Sequence, residues 1–266
     1  MILVELGPGH GTLIQDILKI LKLSGMLSHI SSTHLIEISP NLQKIQQDRL
    51  KAEDNIFFHS SFDDIPKGPA IIVANEFFDA FPIQQWKGSD QVKVYLDARD
   101  ELIVDSIEFA YKERGAKPIK YRRETSDAVG MFKSVDYSPH VLEKSPKQEL
   151  YFLKILEHLK SFGGLFLTID YGDQNLNGNT FQALFKHKKI SPFHHIGHAD
   201  LTSHVNFGTL QTLAHKEGFQ TQFLTQRDFL LQEGIEHLKE KYKTPEEDYA
   251  RLIATMGTLF KVLIVY

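Results

Sequence analysis

The residues best placed to do chemistry lie near the start of the chain, in VELGPGHGT, Val4 to Thr12. Gly7, Gly9 and Gly11 alternate with other residues, and Glu5 stands two positions before the first glycine. A loop of this kind lets a ligand approach the backbone closely. Two ligand classes use a glycine turn after a first strand. Dinucleotides favour the spacing G-x-G-x-x-G, with a pyrophosphate facing a helix N-terminus. Here the spacing is G-x-G-x-G, and a carboxylate at Glu5 would repel a diphosphate while suiting an ammonium group. S-adenosylmethionine carries an ammonium and a sulfonium and no phosphate. A second carboxylate, Glu37, stands at the end of the second apolar run, HLIEI, where either ligand class presents ribose hydroxyls. For three alternating glycines in register with two carboxylates, a ligand site is the better reading than a bare tight turn. Glu37 alone is equally well an exposed strand-end charge.

A second group follows the apolar run AIIVA as NEFFDAFP, Asn75 to Pro82. In an open parallel sheet the working groups sit beyond the carboxyl ends of the strands. Asn75, Glu76 and Asp79 occupy that place. Glu76 reads as functional; for Asp79, capping a following helix is an equal alternative. His194, His195, His198 and His204 form a loop cluster without helical zinc spacing, so no metal site is expected. Ser60, Ser61 and Ser203 lack a nucleophile-elbow context. Lys186 to Lys189 (KHKK) reads as a solvated face.

The elements that must position these groups are read from periodicity. Ile2–Leu6 is a short buried-strand pattern, and Leu13, Ile14, Ile17, Leu18, Ile20 and Leu21 recur at helical spacing. His34–Ile38 is a second strand, and Pro40 opens a helix to about Leu50. Ile56–His59 and Ala70–Ala74 are further strands. A helix over Leu150–Leu159 ends at Gly163–Gly164, and Leu165–Ile169 follows as a fifth strand. A weak strand at Gln222–Phe223, a charged helix near Thr244–Met256 and a strong strand at Leu259–Tyr266 close the chain. Such strand–helix alternation predicts an α/β, doubly wound, mostly parallel sheet. Residues of about 83–125 alternate polar and apolar and predict an inserted antiparallel hairpin turning at Asp97 to Asp100. Residues 172–206 read as a lid or binding loop with a short helix near Thr180–Phe185. The whole, 1–266, is expected to be one domain with these two insertions.

Composition limits the alternatives. The chain has 266 residues, no cysteine and a formal net charge of -4. That rules out disulfides and thiolate chemistry and argues against a nucleic-acid-tracking surface. No apolar run is long enough for a membrane span, and the first residues resemble neither signal peptide nor presequence. A cytoplasmic protein is the expectation, or a mitochondrial-matrix one if this is a processed eukaryotic form.

In order along the chain, VELGPGHGTL, LIEISP, ANEFFDAFPIQQW, GGLFLTIDYGD, TFQALFKHKK, HADLTSHVNF and TMGTLFKVLIV resemble the MidA-like family of S-adenosylmethionine-dependent methyltransferases. That family includes the mitochondrial arginine methyltransferase that assists respiratory complex I assembly. The resemblance implies a class I (Rossmann-like) methyltransferase sheet with an antiparallel last strand. It implies S-adenosylmethionine as cofactor and a protein substrate, a respiratory-complex subunit being the family's precedent. It places Glu5, Gly7, Gly9 and Gly11 at the methionine end, Glu37 at the ribose, Ser61 and Phe62 at the adenine, and Asn75 and Glu76 facing the methyl group. Asp79 joins them as a carboxylate able to pair with a guanidinium. Asp170 and Tyr171 border the cleft and His204 closes it. The chain departs from the family at Asn206, where Asp is usual. It also lacks the helical segment that precedes the glycine loop in relatives, which predicts weaker cofactor enclosure. The competing expectation is a non-catalytic partner-binding or assembly factor on the same fold, and the long insertion offers a surface for a homodimer.

Overall fold

The computed structural model describes residues 1–96, 102–106, 117–118, 141–186 and 188–266. They form two compact units. The first comprises Met1–Asp79, Glu149–Gln174 and Val205–Tyr266, the second Ala80–Gln148 and Asn175–His204.

The first unit is built on a sheet of β1 (Ile2–Leu6), β2 (Ser32–Ile36), β3 (Ile56–His59), β4 (Ala70–Asn75), β5 (Gly164–Asp173), β6 (Thr221–Thr225) and β7 (Phe260–Val265). Their order is β6-β7-β5-β4-β1-β2-β3. β1 pairs in parallel with β2 (Ile2 with Ser32) and β4 (Leu6 with Ala74), and β4 with β5 (Asn75 with Ile169). β7 is antiparallel to both β5 and β6. All five residues of β1 are buried, as in a central parallel strand covered on both faces. Around the sheet lie α1 (Thr12–Leu23), α2 (Pro40–Leu50), α3 (Pro146–Phe162) and α4 (Phe207–Lys216). Ile14 and Leu18 of α1 meet Leu3, Leu35 and Leu50 in one apolar cluster. A second is aromatic: Phe78, Phe152 and Phe166 are fully buried, with ring centroids 5.8–6.3 Å apart. Each such ring contributes roughly 2–3 kcal/mol of burial.

The predicted α/β sheet with a reversed last strand is therefore present, with shifted edges. β2 ends at Ile36 rather than Ile38, which is 83% exposed. The ladder stops there because Ser39 turns to cap α2, accepting the Leu42 N–H at 3.4 Å. β5 runs on to Asp173, since Gly172 and Asp173 pair with Val205 and Asn206. The expected charged helix near Thr244–Met256 is broken into Glu246–Ala250, a π turn over Arg251–Thr255 and a turn over Met256–Leu259, and β7 begins at Phe260. No helix follows Asp79, so Asp79 caps none.

In the second unit, Asp90–Leu96 pairs antiparallel with Leu102–Ser106 and with Gln84–Lys87, which also pairs with Val141–Lys144. The predicted turn at Asp97 to Asp100 lies outside the described residues. The short helix expected near Thr180–Phe185 is instead a strand, Gln182–Phe185, flanked by Lys188–Ile190 and Asp200–Thr202. Cross-strand pairing overrides a helical spacing this brief: Ala183 pairs with Leu201 and is fully buried. The segment expected as a lid or binding loop thus carries strands.

One hydrogen-bonded chain at the sheet edge sets a pH response. Ser32 Oγ lies 2.8 Å from His34 Nε2, and His34 Nδ1 lies 2.9 Å from His59 Nε2. Burial, and then the neighbouring His59, push His34 down from 6.5 to about 4. Between these values the unfolded chain binds a proton that the folded chain does not. Stability should therefore fall as the pH drops from about 6.5 to about 4, by on the order of 2–3 kcal/mol. Urea midpoints measured across that window check this; His34→Leu should flatten the slope, and an unchanged slope would refute it.

Candidate active site

The sheet order β4-β1-β2-β3 brings four strand ends into one row, because Leu6 lies level with both Ile36 and Ala74, and Ile36 level with His59. Just beyond them stand the glycine loop, Glu37, Ser61 and the Asn75–Asp79 turn. This is the edge where open α/β sheets bind ligands.

The loop after β1 is left-handed at each glycine, with φ of 61° at Gly7, 53° at Gly9 and 75° at Gly11. The Gly7 N–H donates to Ile36 O at 3.0 Å, anchoring the loop to β2. A Cβ at Gly7 would stand 2.7 Å from the Phe77 ring, whereas one at Gly9 would meet nothing within 4 Å. Gly9→Ala should then cost about 1 kcal/mol through φ alone. Gly7→Ala adds a clash worth about 1–3 kcal/mol more. Equal losses of stability in chemical denaturation would contradict this contact.

Glu5 is the unusual residue of the row. It is 2% exposed in the middle of the buried strand. It accepts the Ile14 N–H in the first turn of α1, where Gly11 offers no side-chain cap. Its Oε2 is buried without a hydrogen-bond partner among the described residues. Burial outweighs the Ile14 bond and pushes the carboxyl up to about 7. Glu37 is 8% exposed, and its Oε1 accepts the Ser39 N–H at 2.9 Å. Ser61 accepts the Asp63 N–H at 3.2 Å in a short 3₁₀ turn. Phe62 is buried, its ring against Tyr151 and His158.

Beyond β4, Glu76 adopts a left-handed φ of 48°, uncommon for a side-chain-bearing residue. Its N–H donates to Ile169 O at 2.9 Å. The residue is exposed as a whole, yet partial burial of the carboxyl raises its pKa against a hydrogen bond from Asn75. The next three residues converge on Asp170 of β5. Its Oδ2 accepts the N–H groups of Phe77 (3.2 Å), Phe78 (2.8 Å) and Asp79 (3.3 Å), and its Oδ1 that of Tyr171 (2.9 Å). Asp170 is fully buried, and burial, then the Asp79 carboxyl, push its pKa up against the N–H groups of Phe78, Tyr171 and Asp79. Carboxyls this close resist double ionisation.

Of the predicted site residues, Glu5, Gly7, Gly9, Gly11, Glu37, Ser61, Phe62, Asn75, Glu76 and Asp79 all belong to the first unit. His204 belongs to the second, where its backbone N–H donates to Thr180 Oγ1 at 2.9 Å. That hydroxyl donates to Glu143 Oε2, which also holds the N–H groups of Thr180 and Phe181 through Oε1. Asn206, the departure from the family's Asp, caps α4 by accepting the Thr209 N–H at 3.0 Å. Asn and Asp cap equally well, so that structural role survives the exchange. Phe77, named only as lying in the motif, and Glu143 and Gln46 had no role from the sequence. Gln46 alone had a signal, as a polar residue between Leu42 and Leu50 on the core-facing i, i+4, i+8 row of α2.

A family model of S-adenosyl-L-methionine-dependent methyltransferases matches residues 1–225. The chain belongs to this family. Its curated relatives include "Protein arginine methyltransferase NDUFAF7 homolog, mitochondrial" of Caenorhabditis elegans, 31% identical over 99% of this chain and 67% of that protein. The Drosophila melanogaster homolog is 30% identical over the same shares. The human protein is 28% identical over 88% of this chain and 56% of its own length. The fold matches a Burkholderia thailandensis protein crystallised with S-adenosyl-homocysteine, at TM-score 0.73 and 21% identity, covering 99% of this chain and 70% of that one. A native crystal structure from the same organism gives TM-score 0.74, again at 21% identity, over 99% of this chain and 73% of that chain. The chain is thus a class I methyltransferase with S-adenosyl-L-methionine as its cofactor. The residues present suit it: the buried Oε2 of Glu5, without a hydrogen-bond partner among the described residues, is an acceptor of the kind an ammonium uses.

Proposed function

We propose that this methyltransferase acts on a protein side chain, the arginine of a partner protein. The observation that carries the reading is the carboxylate-rich turn at the end of β4, held rigid by Asp170, in the same row as the glycine loop. In this reading Glu5 and the three glycines hold the methionine end of the cofactor, Glu37 the ribose, and Ser61 and Phe62 the adenine. Asn75 serves both cofactor and acceptor. The bound cofactor supplies an electrophilic methyl group for in-line displacement. A guanidinium stays protonated in water, with a pKa above about 12, so its attacking nitrogen has to be oriented and its charge drawn elsewhere. Glu76 and Asp79 supply carboxylates for bidentate pairing. Much of the rate then comes from positioning. His204 is carried as a candidate by its motif alone.

Relatives named as arginine methyltransferases support the acceptor class. Their names also place them in mitochondria; here, no helix among the described residues is long and apolar enough to cross a membrane. The test is transfer of labelled methyl from S-adenosylmethionine into a cognate lysate, with mass-spectrometric location of the label. Label on arginine supports the reading. Label on another residue type overturns the arginine assignment. Cofactor binding with no transfer would favour the assembly-factor alternative.

A further inference from the structure

One side chain outside the motifs reaches the glycine loop. Gln46, on α2, is fully buried. Its Nε2 donates to Gly9 O at 2.7 Å, and its Cγ lies 3.4 Å from where a Cβ on Gly11 would stand. Its Oε1 is buried with no hydrogen-bond partner among the described residues. Burying a carboxamide with half its hydrogen-bonding capacity unmet is costly, and such a group calls for an explanation. Three residues earlier, Gln43 Nε2 reaches Glu37 O (2.6 Å), His59 O (3.3 Å) and Ser60 Oγ (3.2 Å). Residues three apart share a helix face. One face of α2 therefore grips the glycine loop and the Glu37 strand end together.

We propose that Gln46 is a positioning residue for the cofactor, setting the orientation of the Gly9–His10 peptide. The peptide is planar and trans, so its carbonyl and the following N–H point in opposite directions. The Gly9 backbone has steric freedom, since glycine tolerates left-handed conformations and a Cβ there would meet nothing within 4 Å among the described residues. By drawing the Gly9 carbonyl toward α2, Gln46 turns the His10 N–H to the side of the loop facing away from α2. Without that bond the loop would sample several peptide orientations, and binding would have to select one. The inference rests on the reading of the glycine loop as the cofactor's seat.

The test compares S-adenosyl-homocysteine binding by calorimetry in the unaltered chain, Gln46→Met and Gln46→Glu, with the thermal midpoint of each free protein. Gln46→Met keeps the length and removes both the donor and the unpartnered oxygen. Its dissociation constant should rise about tenfold, the loss of one hydrogen bond's worth of order, while its free-protein midpoint holds or rises. Gln46→Glu keeps the shape and regains a donor only when protonated, so its affinity should recover toward acid pH beyond any trend of the unaltered chain. Unchanged affinity in Gln46→Met, or an affinity loss matched by a lower midpoint with no pH recovery in Gln46→Glu, overturns the role of Gln46 alone. Failure of the unaltered chain to bind S-adenosyl-homocysteine overturns the cofactor seat and the role of Gln46 together.

Discussion

Replacing Asp170 by alanine should cost about 3–5 kcal/mol of stability and reduce methyl transfer at least about a hundredfold. The side chain is fully buried and receives four backbone N–H groups, three of them from consecutive residues of the Asn75–Asp79 turn. Removing it strands those donors away from water, at about 1–3 kcal/mol for each that finds no new partner. It also releases Glu76 from its left-handed conformation, which an isolated chain would abandon for a gain on the order of 1 kcal/mol. The turn would relax, and the Phe77 ring that packs against Gly7 would move with it. One residue thus holds the proposed acceptor turn and one wall of the proposed cofactor loop. Asp170→Asn is the gentler variant: one oxygen still serves the turn, but its amide faces the Tyr171 N–H. It should lose about 1–2 kcal/mol. Urea denaturation and labelled-methyl transfer, run on both variants, check the ranking. Full activity in Asp170→Ala would end the argument that this carboxyl holds the site.

Glu5→Gln should have opposite effects on stability and on binding. The folded pKa, about 7, lies above the ordinary 4.5 because burial disfavours the charge. The unfolded chain therefore releases its proton first, and Glu5 withdraws stability as the pH rises from about 4.5 through about 7. Above that window the charged group costs on the order of 3 kcal/mol. A glutamine of the same shape escapes the penalty, so the cofactor-free variant should melt higher than the unaltered chain at pH 8 and not at pH 4.5. Its affinity for S-adenosylmethionine should fall about tenfold to a hundredfold, because a buried hydrogen bond to a charged group is lost. Melting curves at the two pH values, paired with calorimetry at pH 8, decide it. A variant that is no more stable at pH 8, or that binds undiminished, would show that the buried oxygen is not kept for a ligand. Such a trade, stability given up for a preorganised charge, is common at binding sites.

Much of this was legible in the residues. A short, mostly apolar run, alternating glycines and a helical repeat can fold in few other ways than strand, turn and helix. The parallel row follows because each apolar run is too short and too uniform to serve anywhere but inside a covered sheet. The positions of Glu37, Asn75 and Glu76 at the carboxyl ends of strands could be read in advance because such a sheet opens on one edge, and Glu5 drew attention through its spacing to the glycines. What remained hidden was set by contacts between distant parts of the chain. Asp170 lies 92 residues from Phe78, and no local pattern couples them. Glu5 looks like any acidic residue until its surroundings remove water from one oxygen and shift its proton. Gln182–Phe185 carries a spacing short enough for helix or strand, and pairing with Asp200–Thr202 decided for strand. Gln46 stood out only as a polar break in an apolar face; its partner, the Gly9 carbonyl, became known only when α2 packed against the loop. Sequence determines which segments are buried and where the chain must turn, because those depend on local periodicity and backbone freedom. Tertiary structure decides which polar groups meet, because hydrogen bonds and desolvation act through space and are indifferent to separation along the chain.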